Sequence, residues 1–187
     1  MFLDKYVNSS FDRGASKSRE VLWHFIGAKL LTSSLPGSSW RCFLLRLFGS
    51  FIGQGVVIKP RVRLKFPWKL YVSDYCWLGE GVWIDNIDIV RINSHVCVSQ
   101  GVYICTGSHD WTKSTFDLIV KPVVICSHAW LCAMSKVAPG VTVEEGAVLG
   151  FGSVATRNLS AWMIYSGNPA VIVRTRVIND APSLLNL

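Results

Sequence analysis

Residues 125–155 read ICSHAWLCAMSKVAPGVTVEEGAVLGFGSVA, and every sixth position is aliphatic: Ile125, Leu131, Val137, Val143, Leu149 and Ala155. An amphipathic helix repeats every 3.6 residues and an alternating strand every 2, so neither singles out the sixth. A repeat does. Working back along the chain, the same spacing links Ile52, Ile58 and Leu64, then Val72, Leu78 and Ile84, then Ile92, Val98 and Ile104. Of the fourteen gaps between these anchors, eleven are of six residues, two of eight and one of twenty-one.

The position four residues after each anchor agrees. It holds small or β-branched residues such as Val56, Val62, Val82, Val96, Ala129, Val141 and Ala147, as the interior of a tightly wound coil requires. Glycine or a small polar residue often follows the anchor (Gly53, Gly79, Asn93, Ser99, Gly150), where a short strand must bend. The spacing therefore predicts an all-β fold: a parallel β-helix over residues 51–166, with three short segments to a turn. The gaps of eight are small corner bulges, and the long one holds an excursion loop over residues 110–122. Loops that leave a regular solenoid are where function concentrates.

Residues 1–50 form a separate N-terminal segment. Val21, Leu22, Phe25, Ile26, Leu30 and Leu31 fall at helical spacing, Pro36-Gly37 breaks the chain, and Trp40, Phe43, Leu44 and Leu47 mark a second helix. Two readings stand side by side. The helices pack on the open end of the solenoid, or their apolar surface beside basic residues makes peripheral contact with an anionic membrane leaflet. Residues 167–187 are read as a C-terminal tail with a short helix.

Half of the 187 residues are hydrophobic and 17% are charged, which argues against disorder. The formal charge of +7 suits an anionic ligand or surface, and no aromatic-basic recognition motif accompanies it to suggest nucleic acid. Six cysteines without a CxxC pair, and polar residues in place of a leader sequence, point to reduced thiols in a cytoplasmic protein.

The excursion loop starts directly after a histidine, in VSQGVYICTGSHD over residues 98–110, and is followed by FDLIVKP over residues 116–122. With Pro139-Gly140-Val141, Gly167-Asn168-Pro169-Ala170 and WRCFLLRLFG over residues 40–49, these segments resemble the hexapeptide-repeat acyltransferases. They are most similar to the sugar O-acetyltransferases typified by the colanic-acid acetyltransferases. The resemblance implies a left-handed parallel β-helix, a homotrimer with sites between subunits at the cytoplasm or the inner membrane face, and acetyl-CoA as co-substrate without a metal. It also implies a sugar or lipid-linked saccharide as acceptor, in surface polysaccharide biosynthesis.

Acetyl transfer from a thioester to a hydroxyl needs a base for the hydroxyl proton and donors for the oxyanion. Imidazole, with an ordinary pKa of about 6.5, suits the base, and His109 holds that position. Asp110 either orients the ring or binds backbone groups. Cys105 as a nucleophile is the weaker reading, since Cys105 follows Ile104 as Cys132 follows Leu131, at a repeat position. By motif, Trp130, Ala133 and Phe151 border the pantetheine, and Thr156, Arg157 and Arg174 meet the phosphates. Val171 stands where a second basic residue is usual, which leaves open whether Arg176 takes its place. Asn86 and Asp85, with Trp111 in the loop, are the expected acceptor contacts.

Two alternatives remain on the sequence alone. The same fold can acetylate an amino sugar, serine or a xenobiotic. A non-catalytic metal-binding scaffold would need His95, His109 and His128 to converge on one ion.

Overall fold

The computed structural model describes residues 1–8 and 11–179. From Phe51 onward the chain winds through strands of two or three residues that stack in parallel on three faces. The first face holds Phe51–Ile52, Leu70–Val72, Val90–Ile92, Val123–Ile125 and Thr142–Val143. The second holds Val57–Ile58, Trp77–Leu78, Cys97–Val98, Trp130–Leu131 and Val148–Leu149. The third holds Arg63–Leu64, Trp83–Asp85, Tyr103–Cys105, Lys136–Val137 and Val154–Ala155. The six-residue period is thus one strand plus one corner.

Register is in phase with the repeat: Leu78 pairs with Ile58 and Val98, and Ile104 with Ile84 and Val137. The anchors point inward and are buried along the whole solenoid, as are Val82, Val102, Ala129 and Ala147 four residues on. Each buried Ile or Leu stabilises the coil by about 1.5–3 kcal/mol. Corners turn through left-handed backbone, at Gly101 and Gly146 and also at non-glycine Tyr75, His95 and His128. Those last three stack as a column at the first-to-second corner, His95 on His128 with centroids 5.2 Å apart.

All three irregular gaps fall on one edge, between the third face and the first. Residues 65–69, with a short 3-10 turn at Pro67–Lys69, fill one bulge. Residues 86–89 fill the second. The long gap is an antiparallel hairpin, Gly107–His109 against Leu118–Val120. The excursion therefore begins at Gly107, and His109 is the last residue of its outgoing strand.

The N-terminal helices cap the first coil. One runs Lys17–Leu22, continues through a π-helical turn at Trp23–Gly27, and ends at Ala28–Leu31; the other is Ser39–Leu47. Ser16 caps the first by accepting the Arg19 amide. Trp23, Gly27 and Leu31 face the solenoid, and the Trp23 indole donates to the Leu64 carbonyl at 3.3 Å. Gly27 is needed there, since a Cβ would lie 2.3 Å from the Trp23 ring. Arg41 is buried between the helices and donates to the carbonyls of Gly37, Ser33 and Leu35. Capping is what these contacts describe, and it leaves the outer side of the helices exposed.

The tail departs from expectation. Residues 163–175 form an antiparallel hairpin, Met163–Gly167 with Ala170–Thr175, that extends the second face. The run Val171-Ile172-Val173 is β-branched throughout, and such residues lose χ1 freedom in a helix. The rest of the expected C-terminal helix, residues 180–187, lies outside the described residues.

Candidate active site

The three bulges are tied together by polar side chains where the regular coil would have apolar ones. Asn86 is fully buried; its Nδ2 donates to the Phe66 carbonyl at 2.7 Å and its Oδ1 accepts the Phe66 amide at 3.1 Å. One amide side chain thus replaces a missing rung of strand pairing. A coil further on, the buried Thr106 hydroxyl accepts the Asp88 amide at 2.9 Å and donates to the Asp85 carbonyl at 3.2 Å. Gly107 then lets the hairpin leave close to the surface, because a Cβ would meet Ile87 Cδ1 at 2.6 Å.

His109 is held on three sides. Its Nδ1 lies 2.8 Å from the Phe116 carbonyl oxygen. A carbonyl only accepts, so Nδ1 carries the proton and Nε2 keeps a lone pair. The Phe116 ring lies parallel to the imidazole at 4.2 Å, and Tyr6 meets it edge-on at 5.5 Å. Neither Tyr6 nor Phe116 is flagged by the repeat, because one follows a 3-10 turn at Leu3–Lys5 and the other sits in the loop.

Asp110 does not touch the imidazole. Its Oδ1 accepts from the Thr112 amide and hydroxyl, and these bonds hold its carboxyl below the usual range. Of the two roles open from the sequence, it bonds the local backbone and closes the turn. Asp117 receives Lys113 and Thr115 and is lowered likewise, Lys113 giving the largest contribution.

The other sequence candidates fall into groups. Asn86 spends its amide on Phe66, as above. Asp85 pairs with Lys65 at 3.1 Å and accepts the Tyr103 hydroxyl at 3.2 Å. Burial, first, and then Cys105 and Asp85 push the Tyr103 hydroxyl's pKa upward. Trp111 stands at the hairpin tip with 83% of its surface exposed. Ala133 and Phe151 occupy successive levels of the second-to-third corner, where Gly152 donates to the Ala133 carbonyl at 3.0 Å. Trp130 lies on the strand before, its indole on the Ser99 hydroxyl at 2.9 Å. Thr156 and Arg157 are exposed on the next corner, and Arg174 on the terminal hairpin. Arg176 is engaged elsewhere: its guanidinium donates to the carbonyls of His128 and Gly146 and lies over Trp162.

A cavity of about 760 Å³ lies beside the hairpin, under Val7, Phe11, Asp12 and Gly14. Asp12, Trp68, Lys69, Asp88, Asp117 and Leu118 line it, and Leu118 is the strand partner of His109. Lys69 fixes its floor by donating to the carbonyls of Asp12 and Ile87, and burial pulls the ammonium pKa down. The Trp68 indole donates to the Arg13 carbonyl at 2.7 Å. Sequence periodicity gives no sign of this N-terminal wall.

His95 and His128 share the first-to-second corner, whereas His109 is on the third-to-first. The three histidines do not converge within the chain. Among the described residues no group of three or more His, Cys, Asp or Glu could hold a metal ion.

A three-faced solenoid with a histidine-bearing hairpin on one edge defines a hexapeptide-repeat acetyltransferase, and the chain belongs to that family. It is 41% identical over 166 residues to an Escherichia coli K12 protein, WcaF, named as a colanic acid biosynthesis acetyltransferase, with 88% of this chain and 91% of that one covered. A Staphylococcus aureus protein named as an acetyltransferase is 42% identical over 62 residues, which are 33% of this chain and 31% of that one. No family model matches. Among solved structures, a hexapeptide-repeat acetyltransferase of Vibrio cholerae with acetyl-coenzyme A superposes with a TM-score of 0.80 at 20% identity, over 90% of this chain and 93% of that one. A galactoside acetyltransferase with coenzyme A gives 0.77 at 17% identity, over 84% and 80%. At these identities the structural likeness speaks for the fold.

Proposed function

We propose that the protein transfers an acetyl group from acetyl-CoA to a hydroxyl of a sugar, in the building of a surface polysaccharide, with His109 as general base. The observation that carries this is the 2.8 Å contact between His109 Nδ1 and the Phe116 carbonyl, which leaves Nε2 as the acceptor. The sugar hydroxyl gives its proton to Nε2 as its oxygen attacks the thioester carbonyl, and a C–O bond forms. Collapse of the oxyanion breaks the C–S bond, and the departing thiolate takes the proton back from Nε2. The relative named for colanic acid biosynthesis supports a saccharide acceptor.

Acetyl-CoA, which the Vibrio cholerae protein binds in its crystal, runs on this reading along Trp130, Ala133 and Phe151. Thr156, Arg157 and Arg174 stand near the phosphates. Ala133 and Phe151 sit at the second-to-third corner and His109 at the third-to-first, a face apart within one chain. That separation supports a homotrimer, in which the donor groove of one chain borders His109 of its neighbour. The acceptor occupies the cavity beside the hairpin, with Trp68 offering a flat face and Asp12, Asp88 and Asp117 accepting hydroxyls.

The test is His109→Ala in a thiol-release assay, with acetyl-CoA binding followed by calorimetry. Transfer is expected to fall by at least about 100-fold while binding persists. Near-normal turnover in that variant would overturn the assignment of the base.

A further inference from the structure

The N-terminal helices bury one side of their apolar surface and leave the other side exposed. The segment from Lys17 to Leu31 turns Trp23, Gly27 and Leu31 inward, yet leaves Val21, Leu22, Phe25, Ile26 and Leu30 between 43% and 60% exposed. The second helix turns Leu44, Leu45 and Phe48 inward and leaves Phe43 66% and Leu47 68% exposed. The two stripes join, because Leu22 and Leu47 line one shallow groove. Seven large apolar side chains therefore form a continuous surface on the cap, beyond what scattered exposure accounts for.

The charges around this surface have one sign. Lys17, Arg19, Lys29 and Arg46 surround it and are exposed. The single acidic residue in residues 15–50 is Glu20, which is bonded by Arg13 at 2.6 Å. A second copy seated on the same patch would set these cations against their own kind. An anionic lipid surface would meet them with opposite charge, and the Lys29 ammonium lies 5.9 Å from the centre of the Phe25 ring, beside the apolar side chains. No helix among the described residues is long and apolar enough to cross a membrane, so the fitting geometry is a helix lying in the interface.

We infer that the cap, through Phe25, Ile26, Phe43 and their neighbours, docks the protein on a bilayer with anionic headgroups. Docking stands independently of the acetyl-transfer reading, and it fits an acceptor carried on a lipid. The patch lies on the helices that cap the first coil, at one end of the solenoid.

The experiment is flotation of the full chain with phosphatidylcholine vesicles, with and without phosphatidylglycerol. Two variants accompany it, the double variant Phe25→Glu with Phe43→Glu, and Lys29→Glu. The wild type is expected to float with phosphatidylglycerol vesicles and to stay behind with phosphatidylcholine alone. Partition should fall by roughly a hundredfold in the double variant and severalfold in Lys29→Glu. Circular dichroism and turnover on a soluble acceptor should be unchanged in both. Absence of wild-type flotation, or equal flotation of the double variant, overturns the inference. So does light scattering showing that the double variant dissociates an oligomer, which would make the patch a contact between copies. Loss of turnover in His109→Ala with flotation intact separates the two proposals.

Discussion

The rings of His109 and Phe116 lie 2° from parallel with centroids 4.2 Å apart, and the same Phe116 supplies the carbonyl at His109 Nδ1. One residue thus fixes both the plane of the imidazole and its tautomer, a task often given to a carboxylate. Phe116→Ala keeps the carbonyl and removes the stack. On the proposed mechanism it should lower kcat by about tenfold to a hundredfold, through misplacement of the base, with KM for acetyl-CoA nearly unchanged. Steady-state kinetics with varied acetyl-CoA checks this, and a change confined to KM would count against the stack as a positioning contact.

Asn86 predicts a stability effect. Asn86→Ala leaves the buried Phe66 amide and carbonyl without partners, at about 1–3 kcal/mol each. Urea unfolding should show a loss of about 2–5 kcal/mol, and Asn86→Asp should lose at least as much at neutral pH, because a buried carboxylate oxygen would then face the Phe66 carbonyl. Unchanged midpoints would mean that solvent satisfies the Phe66 groups.

Phe151 and Ile104 make a paired contrast. Ile104 is fully buried and Phe151 is 75% exposed. Ile104→Ala should destabilise by about 2–5 kcal/mol. Phe151→Ala should leave the unfolding midpoint within about 0.5 kcal/mol and raise KM for acetyl-CoA. The reverse pattern would remove Phe151 from the donor groove.

The hairpin tip should respond to acid. Asp110 and Asp117 both have carboxyl pKa values lowered by hydrogen bonds, from Thr112 and from Lys113 with Thr115. A lowered folded-state pKa means that the bonds contribute fully above the ordinary carboxylate pKa, near 4. They are lost as pH falls through the lower folded value. Protection of the Thr112 amide, corrected for intrinsic exchange, should therefore be constant across neutral pH and fall below that range. Asp110→Asn should remove most of the acid dependence at Thr112.

The solenoid was legible because each anchor sits in the same environment as the one a turn earlier, and burial imposes one residue class on all of them. The edge bearing the bulges and the hairpin was legible as well, since bulges change the count between anchors. The two helices were not resolved in the same way. Their apolar residues run nearly all round, and what selects Trp23, Gly27 and Leu31 for burial is the close approach at Gly27, a tertiary effect. Val21, Leu22, Phe25, Ile26 and Leu30, which the spacing draws together as a face, point outward. Asn86 and Asp85 show another limit. Motif position marks them as polar corner residues, yet the hydrogen bonds to Phe66, Lys65 and Tyr103 depend on a bulge one coil away. The wall formed by Val7, Phe11, Asp12 and Gly14 has no periodic signature at all, and it is joined to the coil by contacts such as Lys69 to Asp12, 57 residues apart.

Because the bulges share one edge, that edge varies in length without cost to the rest of the winding. Each strand on the first face pairs with its predecessor whether 6 or 21 residues separate its anchor from the one before. The edge is thus a place where sequence can be inserted, deleted or exchanged while two other edges keep time. A hairpin of different length or composition, grafted between Thr106 and Val123, would alter what the site accepts and leave the thermal midpoint almost where it was.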